Sequence, residues 1–464
     1  MKQILKIAIT YSSLILSFIL LLTISSMIPS KYIKENVEQS SKTLIQEGNR
    51  LKKDVVGRKE PLEFDNYTDA LMINTAYSID SKIPLYSSFV ARKNYIPEVT
   101  EKIYEDTSGE LKSASKYKHH NEVGELEDTV NGEKLESFEY ARYWHGYLTI
   151  LRPLLLIANL EQIRTIFTII ISALFIIFVY LIYKKINFTV AAIFAMGLIS
   201  IEYFYLGFSM QGIFIFFITM ISSIILLAKN GKMKNLSIFF FAIGMVTNFF
   251  DFLTVPMVTY AIPMILHFLL KQKEEKVTVK NVLIDVIKYG MLWGIGYGLT
   301  WVTKWILVDF IYNKNIIKTA IDQVFYRSTG TNEILLKDVI KKNFKYEKRF
   351  FPITTALTFV IIDLQLAIGK LKIKTNKISL KGYVIEILPY LIIGVMPIIW
   401  YSILKDHSYK HAFFTYRNIL ITNICANLLL EKIFELFTKR NETKMIESRK
   451  KWNEIINAHM LCPL

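Results

Sequence analysis

Three short strings in this chain carry side chains able to move a proton or hold an anion. The first is Asp65-Asn66-Tyr67-Thr68-Asp69-Ala70, with three residues between its two carboxylates. A carboxylate can take the proton of an attacking hydroxyl or orient it. The second is Tyr140-Ala141-Arg142-Tyr143-Trp144-His145-Gly146-Tyr147, followed by Arg152-Pro153 inside an apolar run. Arg142, His145 and Arg152 are donors suited to phosphate or carboxylate. The third runs over 405–417, where His407 and His411 have the spacing that places both on one helical face. Arg417 falls about one turn inside an apolar segment, where a permanent charge needs a partner or a water-filled cavity. Two single acids, Glu202 and Asp251, stand at the ends of apolar segments. Asp251 lies among phenylalanines and ahead of Pro256; it reads equally as a functional acid or as the cap of the next helix.

Each string also has a plainer reading. Asp65 and Asp69 can cap the short helix that the apolar spacing after Thr68 predicts, where the helix dipole favours negative charge. That helix is expected to lie along the membrane surface, aiming Asp69 at His407 and His411. The tyrosines and tryptophan of 140–147 can form an interfacial belt, although that leaves Arg142 and Arg152 unexplained. Segment 140–160 therefore reads as an interfacial or re-entrant element. Arg417 can snorkel outward. His119 and His120 are adjacent, lack a zinc-ligand spacing and read as a solvated loop. Cys425 and Cys462 form no C-x-x-C pattern, and the terminal Cys-Pro-Leu is no prenylation box. Gly290–Gly298 offers small residues for close helix packing.

The elements that must position these strings are membrane spans. The 464 residues are 52% hydrophobic with a mean hydropathy of +0.32, too apolar for one water-soluble core. About ten apolar segments appear, at 4–28, 163–183, 188–206, 213–228, 236–249, 252–270, 286–308, 353–368, 384–404 and 413–437. The 236–249 and 252–270 pair also fits a re-entrant hairpin. The net charge of +16 sits in short lysine clusters just beyond apolar segments, which argues for a cytoplasmic membrane face rather than nucleic-acid binding. Alternation from Lys2 and Lys6 then predicts a multi-pass protein of the cell membrane with both termini cytoplasmic. Residues 1–31 are an N-terminal anchor, expected to be retained rather than cleaved. Residues 32–160 form a large first extracytoplasmic loop with interfacial helices, 161–437 the helix bundle and 438–464 a basic tail. The expected fold is mainly α, a polytopic transmembrane bundle.

A first span, a long outer loop and a many-span bundle together resemble the GT-C class of integral membrane glycosyltransferases. Asn66-Tyr67-Thr68-Asp69-Ala70, the 140–147 string, and His407-Ser408 with His411 and Arg417 add to the resemblance. It implies a transferase of the cell envelope that moves a sugar from a polyprenyl-phosphate or polyprenyl-diphosphate donor. The acceptor would be a glycan, lipid or protein on the outer face. The acidic residue of the first outer loop that serves such enzymes as base would be Asp69, with Asp65 as substitute. Phosphate recognition would fall to Arg152, His407, His411 or Arg417, with Arg142, His145, Glu202 and Asp251 completing the substrate-binding set. Several families of the class carry a paired acidic dipeptide; here the two acids are separated, which leaves a divalent metal ion and the identity of the base open. A lipid-linked glycan ligase or polymerase shares most of these features. A transporter would place polar residues along a midplane path with repeat symmetry, and a receptor would use 32–152 to bind its ligand.

Overall fold

The computed structural model describes residues 2–55, 61–95, 99–105, 111–116, 122–132, 136–274, 277–329, 334–373 and 380–440. His119, His120, Cys462 and most of the basic tail lie outside them.

Helix α1 (Lys2–Ser26) leads into a small α/β domain. Helix α2 (Lys34–Glu47) stops at Gly48, whose φ of 74° suits a residue without Cβ. Strands β1 (Arg50–Lys53) and β2 (Leu62–Asp65) pair antiparallel with Arg50 opposite Asp65. Asp65 caps α3 (Asn66–Tyr77), accepting from the Thr68 amide and hydroxyl. Helix α4 (Pro84–Val90) precedes β3 (Arg92–Tyr95). Then come the β4–β5 hairpin (Val99–Glu105 and Leu111–Lys116), α5 (Glu122–Asn131) and β6 (Glu136–Glu139), which returns to pair with β3. Nine of the twelve residues of α3 are buried, between α2, α5, β3 and the following α6 (Leu148–Leu155). This corrects the expectation of a surface helix, because a helix resting on a bilayer must leave one face free of protein.

The bundle follows. Helix α7 (Leu160–Lys185) opens with a capping box between Asn159 and Gln162. Next are α8 (Phe188–Ser200), α9 (Met210–Ala228), α10 (Leu236–Phe250), α11 (Val258–Glu274) and α12 (Val279–Tyr312). The basic connection folds as α13 (Ile316–Thr329) and α14 (Leu336–Glu347). After them come α15 (Phe350–Ala367), α16 (Leu380–Gly394), α17 (Met396–Ile403), α18 (Lys405–Lys410), α19 (Ala412–Thr415) and α20 (Ile419–Phe437). Among the described residues six stretches are long and apolar enough to cross a membrane: α1, α7, α9, α12, α15 and Tyr383–Ile403. By length and composition this is an α-helical membrane protein.

The remaining four apolar segments form shorter or more polar helices. Left-handed Glu202 ends the α8 segment, and α8 itself has 13 residues. The Asp251–Pro256 turn separates α10 from α11, and α20 carries Glu431, Lys432 and Glu435. Helix α10 lies close along α12, because Gly244 meets the Trp293 carbonyl and Gly296 meets the Phe241 carbonyl where a Cβ would overlap. Helix α20 is joined to α15 by hydrogen bonds of 2.9 Å from Thr354 to Asn423 and from Thr358 to Asn427.

Candidate functional site

Helix α18 brings the imidazoles of His407 and His411 to 4.8 Å between ring centroids. The Nε2 of His407 lies 2.8 Å from the Leu253 carbonyl, which can only accept, so that nitrogen carries the proton. Burial pushes His407 down to about 3. His411 falls to about 4, through burial first and then the nearby Arg327 and Arg50. Both rings are therefore neutral at neutral pH. The Leu253 turn is itself built by Asp251. Its Oδ1 accepts from the Thr254 amide (2.9 Å) and hydroxyl (3.0 Å), and its Oδ2 from Tyr297 (2.8 Å). Asp251 thus holds the turn between α10 and α11 and does not cap α11, which starts only at Val258.

The 140–147 string docks on the same turn. His145 sits at a φ of 56°, a strained position for a residue with a side chain. The Gly146 amide then donates to the Phe249 carbonyl at 2.9 Å, where a Cβ would overlap Phe249. His145 Nε2 donates to the Tyr140 carbonyl at 2.6 Å, and its ring is enclosed by Tyr140, Tyr143, Tyr147 and Phe252. Burial pushes it down to about 3, so it is an uncharged wedge and not the expected anion donor. Arg142 stays available. Its guanidinium lies 5.3 Å over the Tyr140 ring, and Arg327 of α13 lies 5.8 Å over Tyr143 within hydrogen-bonding reach of both hydroxyls.

Arg142 and Arg327 border a slot of about 230 Å³ whose lining is almost wholly apolar and whose other walls include Tyr143, Tyr297, Trp301, Trp305 and Trp400. The indole N–H groups of Trp301 and Trp400 are enclosed by protein and have no hydrogen-bond partner among the described residues. Orphaned buried donors are rare in native proteins and mark places where an acceptor is expected. The slot, Asp251, His407 and His411 thus meet at one end of the bundle. Arg50, which rests 4.4 Å over the Phe413 ring, and Lys342, 4.0 Å over Tyr409, add positive charge around it. Arg327, Arg50 and Lys342 were not legible as site residues, because each stands alone in an ordinary polar segment.

The other expected residues go elsewhere. Asp69 is fully buried; its Oδ1 accepts from the Met210 amide at the start of α9 (3.1 Å), and its Oδ2 lies 3.7 Å from Arg164. It therefore faces α7 and α9 rather than His407 and His411. Arg164 in turn holds Glu47 with two contacts of 2.8 Å and Asn66 at 2.9 Å. Asp65 spends both oxygens on Thr68, and burial raises its pKa. Arg152 is also fully buried, donating to the carbonyls of Ser25 (2.9 Å), Ile28 and Ala76. It is a clamp between α1, α3 and α6, its donors consumed by backbone, and not a lip residue. Glu202 accepts from the Tyr416 hydroxyl, tying the α8–α9 connection to the start of α20. Arg417 is buried beside it, donating from Nε to the Ile201 carbonyl at 3.3 Å while its Nη2 has no hydrogen-bond partner.

Among the described residues no three carboxylates, imidazoles or thiols come together as a metal site. Fold and site define the class: an α-helical membrane protein with an α/β domain docked on its bundle and an aromatic slot, bordered by Arg142 and Arg327, beside two neutral imidazoles. Compared with known proteins, the chain matches no described family, no curated protein and no solved structure.

Proposed function

We propose that this protein is a GT-C-like membrane glycosyltransferase that moves a sugar from a polyprenyl-phosphate or polyprenyl-diphosphate carrier to an acceptor on the outer face of the membrane. The observation that carries the reading is the slot between α12, α13 and α17. A loaded carrier presents an isoprenoid chain, a phosphate and a sugar in sequence. Aromatic walls suit the first. The guanidiniums of Arg142 and Arg327 suit the second.

In this reading the α/β domain and the slot face outward, and the ten apolar segments complete the membrane-embedded bundle. The acceptor hydroxyl attacks the anomeric carbon. The bond from that carbon to the phosphate oxygen breaks, and the carrier leaves with the electron pair. Fixed cations stabilise the charge that builds on the phosphate as the bond breaks.

The test is the lipid that travels with the protein. Native-membrane nanodiscs of the wild type, extracted and analysed by mass spectrometry, should yield a polyprenyl-phosphate sugar. Arg142→Ala and Arg327→Ala should each retain at least tenfold less, because a charge-assisted hydrogen bond contributes about 1.5–3 kcal/mol. The same lipid complement in all three proteins would refute the assignment.

A further inference from the structure

We infer that His411 is the proton acceptor of the transfer, and that the donor's phosphate switches it on by occupying the cationic lip beside it. The inference rests on the donor reading above and adds to it the base and its control.

The case starts from elimination by geometry. Asp69 is enclosed against Arg164 and the start of α9. Asp251 has both oxygens committed to its own turn and to Tyr297. His407 gives its Nε2 proton to the Leu253 carbonyl. His411 differs from all three. It is half-buried, its ring is fixed by stacking on Phe414 (5.3 Å, 21°), and it makes no side-chain hydrogen bond among the described residues. A neutral imidazole in that state keeps one lone pair open for a proton.

Its surroundings explain why it is idle without a donor. Arg50 of β1 rests 4.4 Å over the Phe413 ring, which lies 6.1 Å from the His411 ring, and Arg327 of α13 and the preceding Lys410 add to the positive field on it. Lys342 of α14 stands over Tyr409, and the facing His407 is uncharged. Two acids stand on that side: Asp406 is held through Oδ2 by Lys410 at 2.7 Å while its Oδ1 has no hydrogen-bond partner among the described residues, and Glu63 pairs with Arg50 at 2.6 Å; Lys410 also reaches the Tyr326 hydroxyl at 3.0 Å. Cations disfavour a charged imidazolium. A phosphate placed against Arg327, which borders the donor slot, offsets part of that field and raises the proton affinity of His411. The acceptor's proton then passes to the open ring nitrogen as its oxygen bonds the anomeric carbon and the carrier phosphate departs with the bond pair. The new imidazolium stands beside the departing phosphate and loses its proton to water as the carrier is released. Without the donor's phosphate the base stays too weak to activate a hydroxyl.

The experiment reads His411 directly. Wild-type protein in phosphatidylcholine nanodiscs, with and without undecaprenyl phosphate, is treated with diethylpyrocarbonate across a pH series, and modification of each histidine is followed by peptide mass spectrometry. Lipid binding is measured separately by native mass spectrometry. Bound undecaprenyl phosphate should raise the pH midpoint of His411 modification by at least about one unit, a tenfold change in proton affinity. Arg327→Ala should raise the midpoint without lipid and shrink the lipid-induced shift. In native-membrane nanodiscs, His411→Gln should hold a larger ratio of sugar-loaded to free carrier than the wild type, because discharge is blocked after binding. Lipid that binds yet leaves the midpoint in place, or an unchanged loaded-to-free ratio in His411→Gln, overturns the inference while leaving the donor site standing. Failure of undecaprenyl phosphate to bind at all overturns the donor reading, and the role of His411 falls with it.

Discussion

Replacing Asp69 by Asn sets burial against partnership in a single measurement. The carboxyl has no solvent contact, and burial is the largest influence on it, raising its pKa from 3.8 to about 7 against the pull of Arg164. In the unfolded chain the group titrates near its ordinary value. Between about pH 4 and about pH 7 the folded protein therefore holds a proton that the unfolded chain has released. Stability from this group is full below the unfolded value and is lost as pH rises through the folded one. About three units at roughly 1.4 kcal/mol each make the swing about 4 kcal/mol. Asparagine keeps an oxygen for the Met210 amide and has no charge to bury, so Asp69→Asn should lack this pH dependence and be the more stable protein above neutrality. Glu122, also raised to about 7 by burial, contributes with the same sign to both proteins and cancels in the difference. The assay is thermal unfolding in nanodiscs at pH steps from about 4 to about 8, followed by tryptophan fluorescence. Parallel pH curves for the two proteins would refute the reasoning. Turnover by the same samples separates the roles, since a catalytic Asp69 would lose activity while the fold gains stability.

Arg152→Leu should destabilise the protein by about 3–6 kcal/mol, because two buried carbonyls and a half-buried one lose a charged donor; wild-type resistance to limited proteolysis would contradict this. Cysteine placed at Lys112 should be labelled by an impermeant maleimide in intact cells, and cysteine at Lys232 only after permeabilisation. The reverse pattern overturns the proposed orientation.

Much of the layout is legible because a membrane imposes a length and an apolar content on each crossing helix. That rule finds α1, α7, α9, α12, α15 and the 383–403 stretch. Helices α8, α10, α11 and α20 are shorter or more polar and meet that rule only in part, and much of their apolar surface is enclosed by other helices. Composition does not distinguish such enclosure from contact with lipid. At the site, the spacing of His407 and His411 predicts their shared face, and the structure has it. The buried charge of Arg152 is visible as an anomaly, but its partners are backbone carbonyls, which every residue owns. Asp69 shows the limit of local reasoning. Its position at the start of a short helix is readable, while its partner, the Met210 amide, is 141 residues away and carries no side-chain signature. Arg327 escapes notice for the same reason: only tertiary packing of α13 brings it over Tyr143.

The Arg152 clamp has a consequence for how the protein is made. Ser25 and Ile28 leave the ribosome more than a hundred residues ahead of the guanidinium that satisfies their carbonyls. During that interval the end of the first helix stays open to water or headgroups. The intervening α/β segment must be made before residue 152 can reach back and close it. Chain order thus makes α6 the latch of biogenesis, and a ribosome pause before residue 152 would leave the whole domain unfastened.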